Sequence, residues 1–156
     1  MTGNSQANPD LVDVVIRHPR ERLSKCSLEP LRSRADIRFL TFGPGFSFDA
    51  SGYILLQVEA PVLSREDGHL PLLLLDSTWR LLPSLLGGLT GRPLARSLPP
   101  AIRTAYPRKS KVDVDPARGL ASVEALFSAR RLQGRPHDSL LEAYYWKDSF
   151  LEQFKT

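Results

Sequence analysis

The most chemically suggestive part of the sequence is "LPLLLLDSTWRLLPSLL", in which a run of leucines ends at Asp76, Ser77, Thr78 and Trp79. In open parallel sheets, ligands bind outside the carboxyl ends of the strands, where polar side chains of this kind would lie. A carboxylate there suits proton transfer or a fixed negative charge, and an indole suits a flat or positively charged ligand. The alternative is that Asp76 or Ser77 only caps the following helix and that Trp79 packs in the core.

Several other kinds of active site are not encoded in the sequence. It contains neither GxGxxG, typical of dinucleotide-binding proteins, nor GxxxxGKS/T, typical of nucleoside triphosphatases. The "DSTW" segment differs from the GxSxG motif that carries the nucleophilic serine of α/β-hydrolases. Cys26, His18, His69 and His137 fit no metal-ligand spacing, so we expect no metal site.

The composition indicates a single domain. The chain has 156 residues, of which 42% are apolar, and this is enough to build one core. No apolar run approaches the roughly 18 residues that a membrane-spanning helix requires. The polar start "MTGNSQANPD" does not resemble a secretory signal, and the single cysteine allows no internal disulfide. We therefore expect a cytoplasmic protein with a disordered segment at 1–10, a single domain at 11–156 and no membrane contact.

The positive charges of the sequence are clustered. The chain has 21 Lys and Arg residues against 17 Asp and Glu residues. Basic residues gather in "RHPRERLSK" at Arg17–Lys25, in "RTAYPRKSK" at Arg103–Lys111 and in "ARRLQGR" at Ala129–Arg135. Such clusters are either ordinary solvated surface or a surface for RNA or another phosphate-rich ligand.

The pattern of apolar residues predicts strands first and helices later. Strands rich in β-branched and apolar residues are predicted at Leu11–His18, Ala35–Phe42, Tyr53–Ala60 and Leu70–Asp76, with a short one in "AIRTA" at Ala101–Ala105. A continuous run such as "LLLL" belongs in the middle of a parallel sheet that is covered on both faces. We therefore predict an α/β domain with a mainly parallel central sheet flanked by helices.

Three segments predict helices. The first is "STWRLLPSLLGGL", in which Pro83 delays or bends the helix. The clearest is "GLASVEALFSARRLQG", with Ser122 as its cap, Glu124 in its first turn and Gly134 at its end. The last, Pro136–Lys155, is expected to form one helix of about five turns.

Four motifs together resemble a known family. They are "SKCSLEPLR", "LLLLDSTW", "RSLPPAIRTAYPRKS" and "GLASVEAL". In this order and spacing they resemble the ribosome-biogenesis aminocarboxypropyltransferases that modify small-subunit rRNA, and the likeness spans residues 11–154. "DSTW" and "LASVEA" are also similar to motifs of the related DTW-domain tRNA aminocarboxypropyltransferases. The resemblance implies a SPOUT-like fold with a C-terminal knot, in which the strand "LLLLD" neighbours the strand at "AIRTA" and the segment 106–119 crosses beside the cofactor pocket.

The resemblance also implies a reaction and a set of site residues. The 3-amino-3-carboxypropyl group of S-adenosylmethionine would be transferred to a nucleobase nitrogen, without a metal, by a monomer rather than a dimer. Asp76 matches the catalytic position, as a base or as an anchor for the cofactor. The positions that match the cofactor site are Ser27, Leu75, Trp79, Leu98, Tyr106, Ala121 and Ser122. The positions that would bind RNA are Lys25, Arg103, Arg108, Lys109 and Lys111.

Two other functions fit the same resemblance. One is an ordinary SPOUT-type RNA methyltransferase. The other is an RNA-binding assembly factor that keeps the fold without catalysis. An acid at the end of a buried strand, beside Trp79, favours the transferase, since a protein that only binds RNA has no need of it. Among RNA substrates, rRNA is expected rather than tRNA.

Overall fold

The computed structural model describes residues 11–19, 27–77, 80–105 and 120–155. The strands are β1 Asp13–Arg17, β2 Ile37–Thr41, β3 Phe48–Asp49, β4 Ile54–Leu56, β5 Leu72–Asp76, β6 Leu89–Thr90 and β7 Leu94–Arg96. The α-helices are α1 Leu82–Gly87, α2 Ser122–Gln133 and α3 Lys147–Leu151. Short 3-10 helices lie at Glu29–Leu31, Arg65–Asp67, Asp138–Leu141 and Glu152–Phe154. None of the helices in the described ranges is long and apolar enough to cross a membrane.

β5 lies at the centre of a five-stranded sheet in which every pairing is parallel, in the order β2-β1-β5-β4-β7. The register of β1 and β5 sets Val14 opposite Leu73 and Arg17 opposite Asp76. A separate two-stranded parallel sheet is formed by β3 and β6. The predicted α/β domain with a mainly parallel sheet is therefore confirmed.

The leucines of β5 face both sides of the sheet. Leu72 and Leu74 belong to a core that includes Leu126 of α2, whereas Leu73 belongs to a second core that includes Leu85 of α1. Successive side chains of a strand point to opposite faces. An uninterrupted run of leucines is therefore what a central strand between two helical layers requires.

The ends of α2 are set by different residues from those predicted. Gly134 ends the helix in the left-handed conformation, with φ of 77°, as expected for a glycine in this position. Ala121, and not Ser122, occupies the N-cap position, so the prediction that Ser122 caps the helix is wrong. The carboxylate of Glu124 serves the first turn instead, because it accepts the N–H of Ala121 at 2.8 Å. The hydroxyl of Ser122 therefore remains available for another partner.

The short strand predicted at Ala101–Ala105 is wrong. The outer strand is β7, which lies earlier in the chain and pairs with β4, so β4 separates it from β5. The predicted pairing of "LLLLD" with "AIRTA" is therefore wrong as well. The backbone N–H of Arg103 donates to Gln153, and that of Ala105 donates to Glu124. Side chains thus take the hydrogen bonds that a neighbouring strand would have supplied.

The single C-terminal helix predicted at Pro136–Lys155 is also wrong, because the segment forms two 3-10 helices and the short α3. Leu141 and Phe150 are both fully buried in the same core. At about 100° per residue, the nine steps from one to the other would place them on opposite faces of a straight helix. The turn between Glu142 and Trp146 allows both side chains to reach the core.

A buried carboxylate joins three elements at the amino ends of the strands. Asp13 in β1 is fully buried. Its Oδ1 accepts hydrogen bonds from the N–H of Leu72 in β5 and from Nη1 of Arg135, each at 2.8 Å. Its Oδ2 accepts a hydrogen bond from Nε of Arg130 in α2, also at 2.8 Å. One side chain therefore fixes α2 and the chain that follows it to the two central strands.

A second acid shares the charge of Arg130. The Nη1 of Arg130 donates to Asp36 at 2.9 Å, and Arg34 donates to both oxygens of Asp36 at 2.9 and 3.0 Å. These hydrogen bonds, that from Arg34 first, hold the pKa of Asp36 well below its ordinary range. Asp36 thus stays ionised, and the buried guanidinium of Arg130 keeps two acidic partners.

The buried cluster generates a stability prediction. Replacing Asp13 by Asn leaves two buried guanidinium groups without their shared counter-charge, so the free energy of unfolding is expected to fall by about 3–5 kcal/mol. Urea denaturation monitored by circular dichroism measures this change. Asp138→Asn is the matched control, because that side chain is 97% exposed, and its effect should stay within about 0.5 kcal/mol. Equal denaturation midpoints for the two variants would contradict this role of Asp13.

Candidate functional site

The carboxyl ends of the two central strands carry an ion pair. Arg17 ends β1 and Asp76 ends β5, and the strand register places them side by side. The Nε of Arg17 lies 3.5 Å from Oδ2 of Asp76, the separation of an ion pair rather than of a short hydrogen bond. Their exposed fractions are only 3% and 7%. A buried acid and a buried cation thus share the edge of the sheet where open α/β folds bind ligands.

The guanidinium of Arg17 has further partners. Its Nη1 donates to Oε2 of Glu29 at 3.1 Å, and its Cζ lies 5.0 Å from the centre of the Phe39 ring. A planar guanidinium is suited to this combination of carboxylates and an aromatic face. Arg17 is therefore held between two acids and fixes the direction in which Asp76 presents its carboxylate.

The N-terminus of α2 is attached to the same edge by two serines. The hydroxyl of Ser122 donates to Oδ1 of Asp76 at 2.7 Å. The Oγ of Ser27 accepts the backbone N–H of Val123 at 3.0 Å. The segments around residues 27 and 76, distant in sequence, are thus each hydrogen-bonded to the start of α2.

This geometry bears on what Asp76 can do. One of its oxygens accepts from Ser122, and the other faces Arg17. Acting as a base would require Asp76 to accept a proton while its carboxylate is hydrogen-bonded to a hydroxyl and paired with a cation. A fixed negative charge needs no such change in its partners, and the arrangement favours that role.

A buried glutamate holds together two segments of the chain next to the site, the one ending at residue 105 and the one at the start of α2. Glu124 is fully buried. Its Oε1 accepts from the hydroxyl of Thr104 at 2.6 Å and from the N–H of Ala121 at 2.8 Å. Its Oε2 accepts from the N–H of Ala105 and from the hydroxyl of Tyr144, each at 2.9 Å. Four donors converge on one side chain, which fixes where the chain leaves residue 105 and where α2 begins.

The residues predicted for the cofactor site fall into three groups. Ser27, Ala121 and Ser122 lie at the N-terminus of α2, beside Asp76. Leu98 packs at the border of the core that contains α2, whereas Leu75 packs with the core on the other face of the sheet. The structure therefore does not bring Leu75 to the same side as the serines. Trp79 and Tyr106 lie outside the described residues, as does the crossing segment 106–119.

The predicted basic surface is only partly present. Arg17, Arg130 and Arg135 were expected in surface clusters, but each is at most 4% exposed and is paired with buried acids. Two of the three clusters therefore contribute charges to the interior, and that part of the prediction is wrong. Arg103 is exposed. The remaining predicted RNA-binding residues lie outside the described residues, and they are Lys25, Arg108, Lys109 and Lys111.

The sequence analysis did not predict the roles of three residues of the site. Arg17 was placed in a surface cluster, although its position in an alternating strand, two residues after Val15, indicates the same inward face. Glu124 was identified only as a first-turn acid. Glu29 carried no signal, because its partner Arg17 lies in another element. Within the described residues, no group of three or more His, Cys, Asp or Glu is placed to hold a metal ion.

The fold of this chain is similar to that of a protein of known structure. No protein-family model matches the sequence, and no curated protein matches it. Among solved structures, the fold is similar to that of the S-adenosylmethionine-dependent rRNA aminocarboxypropyltransferase Tsr3 from Vulcanisaeta distributa, with a TM-score of 0.67 and 21% sequence identity. The match covers 92% of this chain and 78% of the Tsr3 chain. The chain shares the fold of this enzyme, and the resemblance predicted from the motifs is confirmed at that level.

The role of Glu124 can be tested by an isosteric change. In Glu124→Gln the amide nitrogen replaces one oxygen, so two of the four donors lose their acceptor inside the core. We expect the free energy of unfolding to fall by about 3 kcal/mol, measured by urea denaturation. Glu142→Gln, at an exposed position, is the control and should behave like the unaltered protein. Indistinguishable stabilities of the two variants would show that Glu124 does not hold the site together.

Proposed function

We propose that the protein transfers the 3-amino-3-carboxypropyl group of S-adenosylmethionine to a nucleobase nitrogen of rRNA. The observation that carries this proposal is the convergence of Asp76, Ser122 and Ser27 at the carboxyl edge of a fold shared with an rRNA aminocarboxypropyltransferase. These are the positions at which the sequence motifs of that family were recognised. rRNA is preferred over tRNA because the structural neighbour acts on rRNA.

The reaction sets clear demands on the site. A bond forms between the base nitrogen and the terminal carbon of the aminocarboxypropyl chain, the bond from that carbon to sulfur breaks, and 5′-methylthioadenosine leaves. The proton of the attacking nitrogen is lost to a base or to water. Three carbons are bonded to the sulfonium, so orientation decides which one meets the nucleophile.

The residues at the edge of the sheet fit positively charged groups. Asp76 and Glu124 already place two carboxylates at the N-terminus of α2, and the N–H of Val123 is bonded to Ser27. A further carboxylate would meet negative charge there, so the ammonium and sulfonium groups of S-adenosylmethionine suit this location better than its carboxylate. This supports Asp76 as an anchor for the cofactor, with its action as a base as the second possibility. The hydroxyl of Ser122 donates its proton to Asp76, so Ser122 contributes by holding this carboxylate in place.

The proposal extends to residues and features that the structure does not describe. Trp79 and Tyr106 would contact the cofactor together with Ala121 and Leu98, whereas the side chain of Leu75 packs on the other face of the sheet and is left out of the proposed site. In addition to the exposed Arg103, the proposed RNA-binding residues are Lys25, Arg108, Lys109 and Lys111. We further propose a SPOUT-like fold with a C-terminal knot, and a cytoplasmic monomer without a metal cofactor.

The experiment that tests the function is analysis of the modified RNA. Small-subunit rRNA from cells lacking the gene is incubated with the protein and S-adenosylmethionine, and its nucleosides are analysed by mass spectrometry. We expect one nucleoside to gain the aminocarboxypropyl mass. Asp76→Asn should lower the single-turnover rate by about a hundredfold, the range typical for loss of a catalytic acid–base group or a preorganised charge.

Two controls make the result interpretable. Asp148→Asn changes an exposed acid and should leave the rate unchanged. Circular dichroism must show that Asp76→Asn is folded, since it alters a buried ion pair. If the folded Asp76→Asn protein reacts as fast as the unaltered one, Asp76 has no part in the chemistry. If the unaltered protein modifies no nucleoside of this rRNA, the proposed substrate is wrong.

A further inference from the structure

A cleft of about 580 Å³ opens at the carboxyl ends of β1 and β2. One wall consists of the residues that follow these strands, among them His18, Phe42 and Phe46. The opposite wall is the end of α1, including Ser84 and Gly87. None of these residues belongs to the site proposed for the cofactor.

The first wall is a row of three rings. His18 stacks on Phe42 with 5.8 Å between ring centres and 26° between ring planes. Phe42 in turn contacts Phe46, with 5.6 Å between their centres. All three side chains are partly exposed, and both phenylalanines also pack against the core on the α1 side. The row therefore offers aromatic surface to the cleft.

Two glycines shape the floor and the opposite wall. A Cβ atom at the buried Gly88 would lie 3.1 Å from the ring of Phe46 and 3.2 Å from that of Phe42, so the rings rest directly on the backbone. A Cβ atom at Gly87 would meet nothing within 4 Å. The cleft is thus narrow at its base and open where Gly87 faces it.

These features suit a flat heterocycle. The volume lies within the roughly 300–1,000 Å³ of small-ligand sites, and the lining is mostly apolar with few polar groups, here the imidazole of His18 and the hydroxyl of Ser84. Aromatic side chains at a groove are the usual platform on which unpaired bases stack. We propose that the cleft is a stacking subsite for an unpaired nucleobase of the RNA substrate, a proposal that rests on the function proposed above.

Its position favours a base of the RNA over the adenine of S-adenosylmethionine. Asp76 and the serines beside it lie on the α2 side of the sheet, whereas Phe42 and Phe46 pack with the core on the α1 side. The two sites meet at the strand ends, where the N–H of His18 donates to the carbonyl oxygen of Asp76 at 3.4 Å. RNA lying along this edge would place one base in the cleft and a neighbouring base at the reactive carbon.

The test measures RNA and cofactor binding separately. Phe42→Leu keeps an apolar side chain but removes one stacking face. Gly87→Leu fills the cleft from the opposite wall, where a Cβ atom meets nothing within 4 Å. Fluorescence anisotropy with an end-labelled single-stranded rRNA fragment should show about tenfold weaker binding for each variant. Affinity for S-adenosylmethionine, measured by calorimetry, should be unchanged. Tyr145→Leu removes a ring that is 85% exposed elsewhere and should leave RNA affinity unchanged.

The outcomes separate this subsite from the function itself. Unchanged RNA affinity in both cleft variants overturns the subsite, and so does an equal loss in Tyr145→Leu. Loss of S-adenosylmethionine affinity with intact RNA affinity would assign the cleft to the cofactor's adenine and likewise overturn it. If the unaltered protein binds neither the RNA nor S-adenosylmethionine, the proposed function is wrong, and the subsite proposal is overturned with it. Thermal melting checks that every variant is folded. Gly87→Leu is expected to be folded, because a Cβ atom at this position meets nothing within 4 Å.

Discussion

The buried ion pair between Asp13 and Arg130 is the interaction on which the rest of the structure depends. A lone charge in the core would be very costly, so this carboxylate is stable only while Arg130, Arg135 and the N–H of Leu72 surround it. These partners belong to α2, to the chain that follows it and to β5. Their geometry therefore admits one position of α2 on the sheet, which apolar packing alone would specify less sharply.

Fixing α2 at one end determines what its other end can do. The helix begins beside Asp76, at the carboxyl ends of the strands, where Ser122 donates to the carboxylate. Its last turn reaches the amino ends of the strands, where Arg130 donates to Asp13. Each end of the helix thus meets a buried acid, and each acid is paired with an arginine. The structural cluster and the candidate site are separate in space but are connected through one rigid element. This connection explains how the candidate site is assembled from segments that are far apart in sequence.

The sequence predicts the central sheet well, because the information is local. The leucines that end at Asp76 give the strand, its central place and the edge where the site lies. What fails is what depends on distant partners. The alternation of β1 indicates that Arg17 shares the inward face of Val15, but its partners Glu29 and Asp76 lie in other elements, and Arg17 was assigned to the surface. The C-terminal helix was predicted from composition, although Leu141 and Phe150 can reach one core only if it breaks. The cleft lined by His18, Phe42 and Phe46 was not predicted, because its walls come from the ends of three elements.

The by-product of the reaction shows directly which group of S-adenosylmethionine is transferred. After incubation of the protein with S-adenosylmethionine and small-subunit rRNA, chromatography separates 5′-methylthioadenosine from S-adenosylhomocysteine. Aminocarboxypropyl transfer predicts 5′-methylthioadenosine in an amount equal to the modified nucleoside, and no S-adenosylhomocysteine above the level found without protein. Formation of S-adenosylhomocysteine instead would identify a methyltransferase and contradict the account, as would the absence of any RNA-dependent by-product.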